Sequence, residues 1–330
     1  MKAKISIVAG FLIGAALLFF AFRKVDLASL RQAFSAVDAV YLIPAVLTAV
    51  FEIVLRAARW RLLLNPSGPV SLWDAFRLQA IGLGLNNILP MRLGEVARGT
   101  FGARILGIPV ITVFATILVE RALDVIVMFF LIFAAARLGG ISGGLMNYGG
   151  WLWGMCAGLG AAVAALVFAD ELAAHRWFAG FFGRFPLLRS VFERLAMGVK
   201  GFHSLGSGAA ILLLAVLQWC VSAMGYFWMA RAFGLGDVIT FFKCVVLAVT
   251  GAIAASVPGM PGYFGNIEFA VMKVTSSWGI PGSTGLAYAS YVHVIAYLAA
   301  TLLGVFFVYQ MGYSLGRVWG DLSGRGGKNK

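Results

Sequence analysis

Charged residues are scarce in this chain. Only 12% of its 330 residues are Asp, Glu, Lys or Arg, whereas 61% are hydrophobic. A water-soluble globular domain is about 25% charged, so the composition excludes that class. Alternating ten-residue segments of the kind that build a membrane β-barrel are also missing. The apolar runs are long enough to cross a bilayer as helices, which predicts an all-α polytopic membrane protein with residues 1–330 in a single transmembrane domain.

Residues for familiar site chemistry are equally sparse. The chain has three cysteines, Cys156, Cys220 and Cys244, and they lie in apolar runs at no metal-binding spacing. Neither a nucleophile elbow nor a phosphate-binding glycine loop before a lysine occurs. We therefore expect no metal, no cofactor and no catalytic residue, which favours a protein that is not an enzyme.

The excess of positive charge lies beside apolar runs. The formal net charge is +13, and basic residues cluster in segment 170–208 and in the tail 313–330. No aromatic-basic module accompanies them, so nucleic acid is not an expected partner. The positive-inside rule instead places both termini, Arg59, Arg61 and these clusters on the cytoplasmic side of a bacterial inner membrane. Segment 170–208 has the spacing of an amphipathic helix on the cytoplasmic leaflet, or of an ordinary connecting helix.

Six apolar runs predict full membrane spans: residues 5–22, 39–57, 110–134, 150–169, 209–233 and 284–312. Two further stretches, 75–107 and 241–279, are interrupted by proline and glycine. Each is either a re-entrant hairpin of half-helices or a pair of thin crossings. A helix broken at bilayer depth is tolerated only where it lines a cavity or a path. The two interruptions therefore mark the candidate functional site.

A span, an interruption and a second span occur twice. The first unit covers residues 39–134 and the second 209–312, while 135–208 connects them and 313–330 forms a basic tail. The first unit starts outside and the second inside, which is the arrangement of an inverted-topology repeat.

The interruptions correspond locally as well. Pro90 and Gly94 match Pro261 and Gly265 at an offset of about 170 residues, and Pro258 opens the second interruption. Proline removes a helix donor and glycine permits unusual backbone angles, so both residue types suit a break.

Ten ionisable residues fall within or beside the predicted hydrocarbon layer: Glu52, Arg56, Arg92, Glu95, Arg98, Glu120, Arg121, Asp124, Glu268 and Lys273. They comprise five acids and five bases, so the set can neutralise itself. An isolated charge at the bilayer centre costs ~2.5–3.5 kcal/mol on the insertion scale, and we therefore expect ion pairs. Glu52 and Arg56 have i,i+4 spacing. For the acids and arginine at 120–124, a buried network that braces the broken helices is favoured over direct substrate contact.

The half-helices that follow the two breaks would present free N–H groups and positive dipole ends at mid-membrane. Such an end is suited to an anion, and Arg92 and Arg98 on either side of the first one add charge for a phosphate or carboxylate. The alternative is that Glu95 and Glu268 cap their own helices and pair with the arginines.

Polar side chains near the breaks have supporting roles. Asn86, Asn87 and Asn266 would supply the freed backbone with hydrogen-bond partners, and we place Asn266 among the residues that line the path. His293 lies ~15 Å into the last span at 1.5 Å per residue. An interhelical hydrogen bond is its expected role, and a proton relay is the alternative.

Four segments resemble the membrane domain of the lysylphosphatidylglycerol synthase/flippase family, of the multiple peptide resistance factor type: Arg59–Leu63, Leu89–Arg98, Val119–Asp124 and Pro258–Glu268. The resemblance implies a lipid translocase that moves a phospholipid or related amphiphile between leaflets. Because the sequence ends in a short basic tail, we expect a member without the soluble aminoacyl-transferase domain, and the synthase activity of the family is then not implied.

We therefore expect a lipid flippase or transporter built around a charged cavity in mid-membrane. In this expectation Arg92 and Arg98 bind a phosphate. Glu95 and Glu268 bind a cationic head group or carry protons. The remaining three residues orient these side chains: Glu120, Arg121 and Asp124.

Two alternatives stay open. One is a secondary transporter of a small solute, which an inverted repeat suits equally well. The other is a membrane enzyme or a non-catalytic partner of a lipid-synthesis enzyme. Membrane lipids with a phosphate-bearing head group are the expected partners, and a second copy of the chain is a further candidate.

Overall fold

A computed structural model describes residues 26–89, 92–139, 204–257 and 259–312, with several residues within 12–22 and 157–161. These described residues form helices and turns without a strand, which confirms the all-α class. Several predictions fall outside the described residues: Pro90, Pro258, the tail, residues 170–203 of the connecting segment, and most of the spans 5–22 and 150–169.

The helices with defined bounds are, in chain order, α1 Leu27–Ser35, α2 Leu42–Leu64, α3 Leu72–Ile88, α4 Leu93–Leu106, α5 Val110–Leu138, α6 Leu205–Ala232, α7 Phe241–Ser256, α8 Asn266–Ser277 and α9 Gly282–Gln310. Short 3₁₀ turns cover Ala39–Tyr41, Asn65–Ser67 and Pro261–Tyr263.

Local side chains fix where helices begin. Asp26 caps α1, because it accepts hydrogen bonds from the hydroxyl and the backbone N–H of Ser29. These two bonds hold the pKa of Asp26 below its usual value. Ser71 caps α3 and Ser204 caps α6 in the same way, each accepting a backbone N–H three residues on.

In the described part of the chain, three helical stretches are long and apolar enough to cross a membrane: Ala39–Ser67, Leu205–Ala232 and Gly282–Gln310. Helix α5 is as long as α9, with 29 residues each, but it carries Glu120, Arg121 and Asp124. At 1.5 Å per residue such helices reach ~44 Å, more than the ~30 Å hydrocarbon core. The polytopic membrane architecture predicted from the sequence is confirmed.

Both interrupted stretches are pairs of short helices. Helices α3 and α4 have 17 and 14 residues, and α7 and α8 have 16 and 12. None exceeds ~26 Å in length, so each is shorter than the hydrocarbon core. The two members of each pair pack against each other. We call these pairs the first hairpin (α3 and α4) and the second hairpin (α7 and α8).

Helices α2 and α6 pack against each other in opposite directions. Tyr41 at the start of α2 stacks on Trp228 near the end of α6, with ring centroids 6.5 Å apart. Leu63 near the end of α2 shares a buried cluster with Ile211 near the start of α6. The helices that open the two predicted units are therefore antiparallel, as an inverted repeat requires.

The other helices of the two predicted units also pack in equivalent ways. When α2–α5 are exchanged with α6–α9, the pair of α2 and α6 maps onto itself and each other closely packed pair maps onto a second one, for example α3 with α9 onto α7 with α5. A Gly-Ile-Pro turn precedes the last helix of each unit, at 107–109 and 279–281, and both glycines have positive φ, 66° and 85°. This second local match, which the sequence interpretation missed, supports the predicted repeat.

The first hairpin and α9 cross at two glycines. A Cβ added to Gly84 would lie 2.8 Å from the carbonyl oxygen of Ala300 and 2.9 Å from the Cα of Gly304. Only glycine permits this approach of two backbones. The crossing joins the first unit to the second beside the candidate site.

Candidate functional site

A cavity of about 500 Å³ lies between the two hairpins and the long helices. Seven charged side chains line it: Glu52, Arg56, Arg92, Glu95, Arg98, Arg121 and Asp124. All seven belong to the set of ionisable residues predicted to lie in the hydrocarbon layer. Other polar side chains also line it, among them Gln79, Asn86, Asn87, Tyr226, Tyr263, His293 and Tyr297.

Arg59 is the centre of a buried ionic network behind the cavity. Its side chain is fully buried, with Nη1 2.7 Å from Asp124 Oδ1 and Nη2 3.2 Å from Glu120 Oε1. The sequence interpretation placed Arg59 among the cytoplasmic charges and ended the span at residue 57. In the structure α2 continues past residue 57 to Leu64, and Arg59 lies buried within it, where the two carboxylates of α5 neutralise the guanidinium.

Glu120 also binds arginines from two other positions. Its Oε2 lies 3.1 Å from Arg98 Nη2, and its Oε1 lies 2.9 Å from Arg121 Nη2. Arg121 Nη1 reaches Asp124 Oδ2 at 3.3 Å, and Arg98 Nη1 donates to Gln79 Oε1. Helices α2, α3, α4 and α5 are thereby joined by charge-assisted hydrogen bonds and ion pairs, the stronger class of polar contact.

Two tryptophans enclose this network. The Trp60 indole donates to Thr116 Oγ1 at 3.0 Å, and the Arg98 guanidinium lies 4.8 Å from the Trp60 ring centroid. Trp219 of α6 donates to Asp124 Oδ1 at 3.3 Å. Sequence reasoning missed the roles of Trp60, Trp219 and Gln79. For Trp60 a signal existed, since it lies in the Arg59–Leu63 segment of the family resemblance.

Glu52 and Arg56 form the ion pair that their spacing predicts, at 2.7 Å. The Arg56 guanidinium also lies 5.9 Å from the ring centroid of Trp219. Both side chains line the cavity. They lie in the middle of α2 rather than at a helix end.

The first helix break places Arg92 at the edge of the cavity. Arg92 caps α4 with φ 55°, and its Nη2 donates to the carbonyl oxygen of Ala255 at 2.9 Å. Close packing holds this turn, since a Cβ on Gly94 would lie 2.1 Å from the carbonyl oxygen of Gly82. The Glu95 carboxylate faces Arg121 at 4.0 Å rather than Arg92.

The second break is closed by Glu268. Its Oε2 accepts the backbone N–H of Gly265 at 2.7 Å, where φ of 89° suits only glycine. Glu268 thus caps its own helix, as the alternative interpretation had it. Its Oε1 lies 2.6 Å from His293 Nδ1, so His293 makes the expected interhelical hydrogen bond.

The asparagines satisfy backbone and side-chain groups around the breaks. Asn86 Oδ1 accepts the Glu95 N–H at 3.2 Å in the first turn of α4. Asn266 Nδ2 donates to the carbonyl oxygen of Val257 at 2.9 Å, and Asn87 Nδ2 donates to Thr301 Oγ1 at 2.9 Å. Two backbone groups near the breaks, the Glu95 N–H and the Val257 carbonyl, thereby have side-chain partners.

Lys273 does not belong to this site. Its side chain is exposed and its ammonium lies 5.5 Å from the Phe269 ring centroid. It follows Glu268 by five residues, which is ~140° around an α-helix, so the two side chains leave α8 on different faces. Pro261 is also exposed, at the start of the 3₁₀ turn. Among the described residues, no cluster of three His, Cys, Asp or Glu could hold a metal.

The fold and the site define a polytopic α-helical membrane protein with an ion-lined cavity between broken helices. The chain belongs to the family described as the lysylphosphatidylglycerol synthase transmembrane region, which it matches over residues 7–304. It is also similar to a UPF0104 membrane protein of Methanothermobacter thermautotrophicus, with 24% identity over 283 residues, covering 77% of this chain and 78% of that protein. No solved structure matches. The resemblance seen in the sequence is confirmed, and it links the chain to lipid handling.

Proposed function

We propose that this protein moves a lipid with a phosphate-bearing head group between the leaflets of the cytoplasmic membrane. The observation that carries the proposal is the charged cavity of about 500 Å³ between two broken hairpins. This volume lies within the range of sites for single small molecules, ~300–1,000 Å³. It suits a head group, while the acyl chains stay in the bilayer.

The pattern of ion pairs favours an anionic head group. Arg56, Arg98 and Arg121 each have a carboxylate partner within 4.0 Å. Among the described residues, Arg92 is the cavity arginine without a carboxylate partner; it contacts the Ala255 carbonyl oxygen and the Tyr263 side chain. A phosphate at Arg92 would also meet the N-terminal end of α4, and Arg98 adds positive charge to the lining.

The acidic residues have separate roles in this proposal. Glu95 is half-buried on the lining and would face a cationic part of the head group. The pair of Glu268 and His293 is the candidate for carrying a proton, because histidine changes charge near neutral pH. Without a nucleotide-binding motif in the chain, transport would run downhill or be coupled to an ion. Glu120, Arg121 and Asp124 hold the arginines in place.

The packing exchange and the antiparallel α2 and α6 support an inverted repeat with the substrate between its halves. In such transporters the two halves rock around a central site to give alternating access. The hairpins would be re-entrant, since their helices are shorter than the hydrocarbon core. Both termini would be cytoplasmic.

Reconstituted liposomes test the proposal with a fluorescent phosphatidylglycerol whose outer-leaflet label is quenched chemically. We expect the purified protein to accelerate translocation. We expect Arg92→Gln to slow it about ten- to hundredfold, because a hydrogen bond to a charged group contributes ~1.5–3 kcal/mol. Glu268→Gln, whose amide oxygen can still accept the Gly265 N–H, tests proton coupling in the same vesicles.

Arg231→Gln is the matched control, since Arg231 is exposed and packs over Phe227 away from the cavity lining. Translocation no faster than in protein-free vesicles would reject the lipid proposal. Uptake of labelled glycerol phosphate into the same vesicles would instead support a solute transporter, and turnover of the labelled lipid would support an enzyme.

A further inference from the structure

Two residues at the hairpin tips share an unusual backbone conformation. Among the described non-glycine residues, Arg92 and Tyr263 are the two with positive φ, 55° and 64°. Each stands two residues before a glycine, Gly94 or Gly265, at the start of the second helix of its hairpin. They therefore hold equivalent positions in the two units. Strained backbone of this kind persists only where the surroundings fix it, and it concentrates at ligand clamps and switches.

These equivalent residues contact each other. The Arg92 guanidinium lies 5.7 Å from the centroid of the Tyr263 ring. The same guanidinium donates to the carbonyl oxygen of Ala255 in the last turn of α7. Arg92 of the first hairpin thus contacts two parts of the second hairpin, namely helix α7 and the turn at its tip. The turn Pro261–Tyr263 also packs against α3, so each tip lies on the other hairpin.

The contact is one that an anion can displace. Arg92 and Tyr263 are both half-buried and both line the cavity. The partners of the guanidinium are the Ala255 carbonyl oxygen and the Tyr263 side chain, and both are uncharged. A hydrogen bond to an oxyanion is roughly twice as strong as one between neutral groups. A phosphate in the cavity would therefore compete directly for Arg92.

We propose that Arg92 and Tyr263 form a gate between the hairpin tips, closed in this structure, which a phosphate oxyanion opens by binding Arg92. The inference rests on the proposed function and assigns Tyr263 a gating role. Opening requires the ligand to bind the open state better than the closed one. In this proposal the open state meets that condition because it frees the Nη2 donor that Ala255 accepts in the closed state, and so offers the anion one more charge-assisted hydrogen bond.

Hydrogen–deuterium exchange of the full chain in detergent micelles tests the gate without any transport. The probes are short-chain phosphatidylglycerol, diacylglycerol with the same chains, and inorganic phosphate. We expect phosphatidylglycerol to accelerate exchange severalfold in the peptide covering 259–265, and diacylglycerol to leave it unchanged. A response to inorganic phosphate as well would show that the free oxyanion suffices, whereas a response to phosphatidylglycerol alone would assign the gate to a lipid head group.

Variants separate the gate from general packing. Tyr263→Leu removes the ring and should give fast exchange without ligand and no further response, and Arg92→Gln should do the same. Tyr263→Phe keeps the ring but removes the hydroxyl, which also contacts the Arg92 guanidinium, so it should still respond to phosphatidylglycerol but from a faster basal exchange. Arg231→Gln removes an arginine–aromatic contact of similar length, 5.2 Å, away from the cavity and should change nothing at 259–265.

Equal exchange with and without phosphatidylglycerol in the wild type would overturn the gate, as would an equal response to diacylglycerol. The result is distinguishable from a failure of the proposed function. Lipid translocation without the exchange response would reject the gate alone. The exchange response without translocation would keep an anion-sensitive gate and reject the flippase.

Discussion

Arg59 owes its complete burial to two carboxylates on one face of α5. Glu120 and Asp124 are one turn apart, and the guanidinium fork spans them with Nη1 on one and Nη2 on the other. A buried charge is tolerated when its partners satisfy it, and its loss exposes the cost of the charges left behind. The residue therefore stabilises the fold more than its ion pairs alone indicate.

Arg59→Ala should destabilise the protein by ~3–5 kcal/mol, because Glu120 and Asp124 would lose a buried partner. Thermal or denaturant unfolding in detergent measures this. Arg61→Ala is the matched control in the same helix, since Arg61 is exposed and makes one hydrogen bond, to the carbonyl oxygen of Val70. We expect the control to cost ~1 kcal/mol. Equal losses for both variants would contradict the network's structural role.

The two hairpins show how pairs of short helices are held in place by their breaks and by neighbouring helices. Their breaks are closed by Asn86 and Glu268, each of which accepts an N–H at the start of a second helix. Their outer faces are held by the long helices. For the first hairpin that support is the glycine crossing with α9, so the position of the hairpin depends on the absence of two Cβ atoms.

Gly84→Ala should destabilise the protein by ~1–3 kcal/mol, because the new Cβ would force α3 and α9 apart. Gly206→Ala in α6 provides the control, since a Cβ there meets nothing within 4 Å. Alanine is the better helix former, so the control should leave the midpoint of unfolding unchanged or raise it. A Gly84→Ala protein as stable as the wild type would show that the crossing tolerates expansion.

The sequence predicted the helices and their breaks better than it predicted the contacts between side chains. Proline and glycine in apolar stretches predicted both breaks, and apolar run length predicted the long helices. The partners of Arg59 lie more than 60 residues away in the chain, and a run-length criterion treats any arginine as the end of a span. The prediction that Lys273 belongs to the charged site was wrong. Lys273 lies in an apolar stretch of the sequence, but its side chain is on an exposed face of α8.

At the scale of the whole molecule, the described helices α2–α5 and α6–α9 pack in equivalent ways. Because α2 and α6 pack antiparallel, the proposed inverted repeat would place the starts of the two units on opposite sides of the membrane. Val40 and Leu205 stand at these beginnings and are 70% and 91% exposed, so each is a site for a chemical label. The predicted topology puts the first outside and the second in the cytoplasm.

A cysteine at position 40 should react with a membrane-impermeant maleimide in intact cells, and one at position 205 only after permeabilisation. The substitutions Val40→Cys and Leu205→Cys are made singly after the native cysteines are replaced by alanine. Mass shift on a gel measures the labelling, and the cysteine-free chain is the control. Labelling of both positions from one side would rule out the inverted arrangement of the units.

The position of Trp219 gives the molecule an intrinsic optical probe. Its indole lines the cavity, donates to Asp124 and lies under the Arg56 guanidinium. Tryptophan emission depends on the electric field around the ring, and here two opposite charges set that field. The difference between fluorescence spectra of the wild type and Trp219→Phe therefore isolates the signal of this one ring among nine tryptophans. Occupancy of the cavity is thus readable without a label.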